Sequence, residues 1–168
     1  MDGNHQLQCL LDEQGLAVTE LVRHVLWLED PQGRILVAHR NAQIGSVTGD
    51  AYLGWEMVAD CWWGSDLWDE DVFDAARATA SEYTGLDLTD AEPELIDVFH
   101  GASQGVPFLH LVYRICLDDT KPFEFWGEHH DEARWLDPRE AAQLVACEED
   151  RRIISQWLAR RDTSARGA

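Results

Sequence analysis

The side chains best suited to chemistry gather between residues 60 and 86. Four carboxylates, Glu70, Asp71, Asp74 and Glu82, enter or ride a stretch with helical spacing. Carboxylates are the usual ligands of Mg²⁺, so acids grouped on one face could hold a metal beside a phosphorylated substrate. Just before them stand Trp62, Trp63 and Trp68. Indoles at this density either wall a pocket for a base, a sugar or another flat ligand, or pack between a sheet and a helix. Both readings stay open from sequence. Arg40 closes an apolar stretch; it suits a phosphate or carboxylate, or is a plain strand-end charge. The doublet His129-His130 with Asp131 has metal-ligand residue types. Adjacent residues seldom point at one ion, however, and a polar loop is the simpler reading. Cys61 reads as a small apolar filler, with no basic neighbour in sequence to lower its pKa.

The elements that must position these groups follow from periodicity and turn chemistry. Residues 5–20 hold leucines interrupted by Gly15, and fit either a short helix or an N-terminal strand. Val22 to Glu29 and Arg34 to Arg40 form a hairpin around Asp30-Pro31-Gln32-Gly33, a turn in which Pro presets φ and Gly tolerates a positive one. Residues 41–54 read as a loop, Trp55 to Ala59 as a short strand, and 60–68 as an aromatic connection. Val72, Ala75, Ala76, Thr79, Ala80 and Tyr83 share one helical face. Asp69 is the candidate N-cap, and Gly85 ends the helix as a left-handed C-cap. Strands follow over 94–100 and 106–117. A polar loop over 118–131 leads to a short strand, Ala133 to Leu136. Asp137-Pro138-Arg139-Glu140 starts a helix, with an acidic cap and Pro at the first helical position. An amphipathic helix over about 148–160 carries Ile153, Ile154, Trp157 and Leu158, and 162–168 is a polar tail. The order is that of an α+β chain rather than regular βαβ alternation.

At 168 residues the chain is expected to form one domain. Its 13 Lys and Arg against 32 Asp and Glu give a net charge of -19. That balance argues against nucleic acid and anionic membranes as partners, because both demand a surplus of basic side chains. It leaves room for small phosphorylated ligands held through Mg²⁺. Four dispersed cysteines suggest neither a zinc knuckle nor a disulfide framework. The first residues lack the pattern of a signal peptide, so a cytoplasmic location is the expectation.

From Gly64 to Leu86 the sequence resembles the Nudix box: Gly, five residues, Glu, seven residues, Arg-Glu, an aliphatic, any residue, Glu-Glu, any residue, Gly, an aliphatic. Gly64, Glu70, Glu82, Gly85 and Leu86 keep their places. Ala78 and Thr79 stand where the box has Arg-Glu, and Tyr83 replaces the second Glu of the pair. Arg77 is one place from the box Arg, about 100° around the helix. Trp55-Glu56-Met57 resembles the strand that leads into the box, with about four extra residues between. Ala133 to Asp137 resembles the late strand before a capped helix. The similarity covers roughly residues 22–145.

The resemblance implies a Nudix-like α/β/α sandwich with a mixed sheet. It also implies cleavage of a diphosphate bond by Mg²⁺ or Mn²⁺ and an attacking water. The three box carboxylates lie at i, i+3 and i+4, on one helical face, where they can share hard cations. Here the triplet reads Thr79, Glu82, Tyr83. The expectation is an atypical hydrolase of a small nucleotide-like or other phosphorylated metabolite. Glu82 and Glu70 would be its catalytic and metal-binding residues, and Arg40, Trp62, Trp63, Trp68 and Tyr83 its substrate contacts. No organic cofactor is expected. The alternative is a Nudix-fold module that binds a ligand or partner, or runs metal-independent chemistry in the same pocket. A homodimer is compatible with either.

Overall fold

The computed structural model describes residues 2–40, 54–103, 105–119 and 130–167. The loop expected over 41–54 therefore lies almost wholly outside the described residues, as does His129. Helix α1 (Gly3–Gln14) is followed by strands β1 (Leu21–Glu29), β2 (Ile35–Arg40) and β3 (Gly54–Trp63). A short 3-10 turn, Gly64–Asp66, leads towards helix α2 (Val72–Thr84). Then come β4 (Glu94–Ser103), β5 (Val106–Cys116), β6 (His130–Leu136), α3 (Pro138–Leu144) and α4 (Glu148–Arg166).

The six strands form one mixed sheet in the order β4-β5-β1-β3-β2-β6. Among the described residues its one parallel strand pairing is β1 with β5. The expected hairpin is present, but β1 and β2 pair only where Glu29 meets Ile35. Beyond that point they part, and β3 runs antiparallel to both. Asp30 builds the turn: its carboxylate accepts from the backbone N–H of Gln32 and of Arg34.

Strand alternation assigns β1 to two cores. Val22, Leu26 and Leu28 pack with α1 and α2, through Leu7, Leu11, Phe73, Ala76 and Ala80. Val25 and Trp27 face the other way, with Ile35, Val37 and Met57, onto Ala141, Val145, Ile153 and Ile154 of α3 and α4. The expected α+β sandwich, helices on both faces of a mixed sheet, is thus the observed architecture. All nine residues of β1 are buried, so its polar side chains need partners. Arg23 donates to Asp150 at 2.6 Å, and Asp150 also accepts from the Met57 backbone N–H. His24 Nδ1 lies 3.0 Å from the Tyr113 hydroxyl.

Several element boundaries differ from the sequence reading. The undecided N-terminal stretch is helical, capped by Asp2 and closed by Gly15. Strand β3 runs on to Trp63, so Trp62 and Trp63 belong to the sheet and not to a connection. The N-cap of α2 is Asp71 rather than Asp69, with its side chain accepting from the Phe73 N–H. Gly85 caps the other end in the left-handed conformation, φ 68°, as expected. Strand β6 begins at His130, three residues earlier than expected. Helix α4 reaches Arg166, taking in most of the expected polar tail.

Helix α1 is tied to the start of α2 through Asn4. Its backbone N–H donates to Asp71 Oδ2 at 3.1 Å, and its side-chain oxygen accepts from the Val72 N–H at 3.0 Å. Asp71 and Asn4 thereby satisfy unpaired first-turn N–H groups on both helices. No helix among the described residues is long and apolar enough to cross a membrane.

Candidate functional site

On α2 the i, i+3 and i+4 positions of the box are Thr79, Glu82 and Tyr83. Thr79 is only 4% exposed and packs inward with Val72, Ala75, Ala76 and Ala80. Tyr83 reaches down to the sheet, and its hydroxyl donates to the Ala59 carbonyl at 3.0 Å. Burial pushes that phenol up well beyond its ordinary value, and the nearby Glu56 carboxylate adds to the shift. Glu82 is exposed. Arg77 turns away: it donates to the Ala91 carbonyl and pairs with Asp74. The box frame is thus kept as packing, with one carboxylate on the outside.

Beneath Tyr83 lies a charged network that sequence reasoning missed. Glu56, 7% exposed on β3, accepts from Arg40 Nε at 3.0 Å and from His130 Nε2 at 2.8 Å. These groups come from three adjacent strands, β3, β2 and β6. Tyr83 packs edge-on against His130, with ring centres 5.4 Å apart. Burial works to raise the Glu56 carboxyl. The His130 hydrogen bond and the charges of Arg40 and Arg23 outweigh it and hold the group below the usual carboxylate range. The polar-loop reading of the His129-His130 doublet therefore fails for His130, which is a buried strand residue. Arg40 and Tyr83 do come together at this point. The guanidinium, however, is engaged with Glu56 rather than free for a phosphate.

The aromatic residues form the next layer. A cleft of about 430 Å³ is lined by Cys61, Trp62, Trp63, Asp66, Asp69 and Glu70. Asp60 fixes its wall: one carboxylate oxygen accepts from the Trp62 indole N–H at 2.9 Å, the other from the Cys61 backbone N–H. Trp62 also packs on His24, with ring centres 4.5 Å apart. Trp68 is 41% exposed and is not among the lining residues. Cys61 lies opposite Arg23 in the β1–β3 register, a basic neighbour invisible in sequence. Burial still pushes its thiol up, with Asp60 and Glu56 adding to the effect.

The expected Mg²⁺ or Mn²⁺ can be tested against these donors. On the α2 face the donors are a buried threonine hydroxyl, a phenol bonded to a carbonyl, and one exposed carboxylate. The best-placed sheet carboxylate, Glu56, is already paired with Arg40 and hydrogen-bonded to His130. Among the described residues no three His, Cys, Asp or Glu side chains are grouped as a metal site. This donor set does not fit a carboxylate-held metal cluster. The box positions at Thr79 and Tyr83 serve packing instead.

No family model matches this sequence, and no curated protein does. Solved structures do. The chain is similar to the dihydroneopterin triphosphate pyrophosphohydrolase of E. coli, with 18% identity and a TM-score of 0.61 over 83% of this chain and 95% of that one. The MutT protein of Methanosarcina mazei Go1 gives 14% identity and a TM-score of 0.64, over 88% and 98%. The Nudix domain of Shewanella oneidensis NrtR, solved with ADP-ribose, gives 13% and 0.62, over 95% and 99%. The chain has the Nudix fold.

Proposed function

We propose that this protein is a Nudix-type small-molecule binder that takes its ligand in the cleft formed by the end of β3 and the connection to α2, without a carboxylate-held metal cluster on the α2 face. The observation that carries this reading is the state of that face. Thr79 is buried, Tyr83 is bonded to the Ala59 carbonyl, and Glu56 is paired with Arg40 and hydrogen-bonded to His130. The open cleft supplies indole surface and a few polar groups. Fold alone does not fix chemistry, so a Nudix-type frame is free to serve binding.

A second reading keeps the hydrolase. The same cleft carries Asp66, Asp69 and Glu70, and Glu70 and Glu82 hold their box positions. Under it the protein cleaves a diphosphate bond in a nucleotide-like or other phosphorylated metabolite, and Glu82 and Glu70 are its metal residues.

Phosphate release from a nucleoside-diphosphate panel, with and without Mn²⁺, separates the two, run beside thermal stabilisation by the same compounds. The first reading expects stabilisation without turnover. Mn²⁺-dependent turnover that Glu82→Gln abolishes would overturn it in favour of the second.

A further inference from the structure

The connection between β3 and α2 is anchored at its upstream end and exposed beyond it. The Gly64 N–H donates to the Glu20 carbonyl at 2.7 Å, and Leu67 is fully buried. Trp68, Asp69 and Glu70 then run over the surface, all three exposed. Side-chain burial does little to hold them, and a segment with few buried contacts opens locally at small cost. What meets this segment downstream is the start of α1. Asn4 reaches three successive residues there. Its side-chain amide donates to the Glu70 carbonyl at 3.1 Å, its backbone N–H to Asp71 Oδ2, and its side-chain oxygen accepts from the Val72 N–H. Gly3 brings the two helix starts into contact. A Cβ on it would lie 2.8 Å from the Phe73 ring and 2.9 Å from the Phe73 backbone nitrogen. Further along α1, Leu7 and Leu11 fix the helix itself in the core beside Phe73 and Ala76.

We infer that α1 is a strap on the cleft wall: docked through Gly3 and Asn4, it holds Trp68, Asp69 and Glu70 in one conformation. Asp69 and Glu70 line the cleft, so the shape of that wall is set from the N-terminal helix and not from within the connection. Releasing the strap leaves both anchors in place, Leu67 on one side and Leu7 with Leu11 on the other, and frees the span between them. The wall then samples open arrangements. A ligand that needs the closed one binds more weakly in proportion to the closed fraction lost. Asn4 is a positioning residue in this scheme, acting on the wall through the Glu70 carbonyl. The device works in the same way whether the cleft only binds its ligand or cleaves it.

Backbone ¹⁵N relaxation and amide exchange of the free, full-length protein test the strap, in wild type, Asn4→Ala, Gly3→Ala and Thr84→Val. Asn4→Ala removes two of the three bonds and adds no bulk. Gly3→Ala wedges the helix starts apart. Thr84→Val is the control for a general loss of stability, because it removes a buried bond at the far end of α2, from Thr84 Oγ1 to the Ala80 carbonyl. In Asn4→Ala and Gly3→Ala the order parameters of Trp68, Asp69 and Glu70 should fall from about 0.85 to below about 0.6. Exchange of the Val72 amide should rise about fivefold or more in Asn4→Ala, the equivalent of one lost hydrogen bond. Exchange in β5 should stay at its wild-type rate, which separates release of the strap from unfolding. A plain helix cap would speed exchange in the first turn of α2 and leave the connection rigid. Rigid Trp68, Asp69 and Glu70 in Asn4→Ala therefore overturn the inference, as does equal loosening of the connection in Thr84→Val. Asn4→Ala carries the test by itself if the Gly3→Ala wedge prevents folding. Because no ligand is added, these outcomes leave the stabilisation and turnover measurements of the proposed function untouched.

Discussion

Glu56 and His130 stand 74 residues apart in the chain and meet through a 2.8 Å hydrogen bond across the intervening strand β2. Both are nearly sealed from solvent, and Arg40 completes the arrangement from β2 itself. Breaking such a buried group from one side strands a charge in the interior. Glu56→Ala should lower stability by about 3 kcal/mol in urea unfolding. A double-mutant cycle with His130→Gln should give a coupling of at least ~1 kcal/mol. Additive single effects would mean that the bond carries no weight.

This network shows where sequence reading stops. Gly64, Glu70, Glu82 and Gly85 were legible because their spacing is local to one helix and its lead-in. Arg40 and Tyr83 were legible as single candidates. The partnership of Glu56 with His130 was not, because it depends on three strands lying side by side in an order that sequence does not reveal. The same limit explains Cys61, whose basic neighbour Arg23 arrives through strand pairing. Boundaries slipped where two signals competed. Asp69 and Asp71 both suit an N-cap, and the one that also receives Asn4 from α1 takes the role. Trp62 and Trp63 looked like a connection because the turn lies beyond them, at Gly64.

Acid should destabilise the protein in two stages. Burial lowers His24 to about 4 and, helped by the Arg23 and Arg152 charges, His110 to about 3. Both are neutral in the fold, whereas the unfolded chain takes up those protons below about pH 6.5. Stability is therefore full above that pH and declines below it, by up to about 1.4 kcal/mol per pH unit for each histidine. Glu56 has the depressed carboxyl, so its contribution persists to lower pH and goes as pH falls through the value held below the carboxylate range. Urea unfolding between pH 7.5 and 4.5 measures the slope. Both ring nitrogens of His110 lack hydrogen-bond partners among the described residues, so His110→Phe should flatten it. A wild-type slope of zero from pH 6.5 to 5 would contradict the account.

Gly64 has a steric reason for being glycine. Its N–H donates to the Glu20 carbonyl at 2.7 Å, and a Cβ there would overlap the Thr19 carbonyl oxygen. Backbone cannot swing aside as a side chain can, so Gly64→Ala should cost about 2 kcal/mol or more. Gly101→Ala should be milder, because the added carbon meets side-chain ends, Glu149 Oε2 and His110 Nε2. Thermal unfolding of the two variants gives the order; the reverse order would refute it.

Asn4→Ala removes two of the bonds joining the helix starts, Asn4 Oδ1 from Val72 N–H and Asn4 Nδ2 to the Glu70 carbonyl. The expected loss is about 1 kcal/mol, the usual worth of a cap. Amide hydrogen exchange should rise in the first turn of α2 and leave β5 unchanged. Uniform acceleration across the protein would instead mean global unfolding.

Restoring the box with Thr79→Glu and Tyr83→Glu together should fail as a metal graft. Thr79 is buried, and Tyr83 owes its orientation to the Ala59 carbonyl. The expected result is a loss of several kcal/mol, about 3 or more, from burying unpaired carboxylates. Mn²⁺ should give no compensating rise in melting temperature. Full recovery with Mn²⁺ would mean that the metal site had only been vacated, not filled by packing.

Strand β1 sits between β3 and β5, and its Arg23 is neutralised by Asp150, 127 residues further along the chain. During synthesis this central strand precedes both of its sheet neighbours and must wait for them. Its antiparallel neighbour β3 can join it soon, but its parallel neighbour β5 emerges well after β3, and the counter-charge on α4 later still. Contacts of such sequence separation slow folding. Until α4 arrives, the nascent chain carries an unneutralised guanidinium at the centre of its sheet. Closure of the sandwich is thereby tied to the arrival of α4, and the two halves of the molecule are committed together.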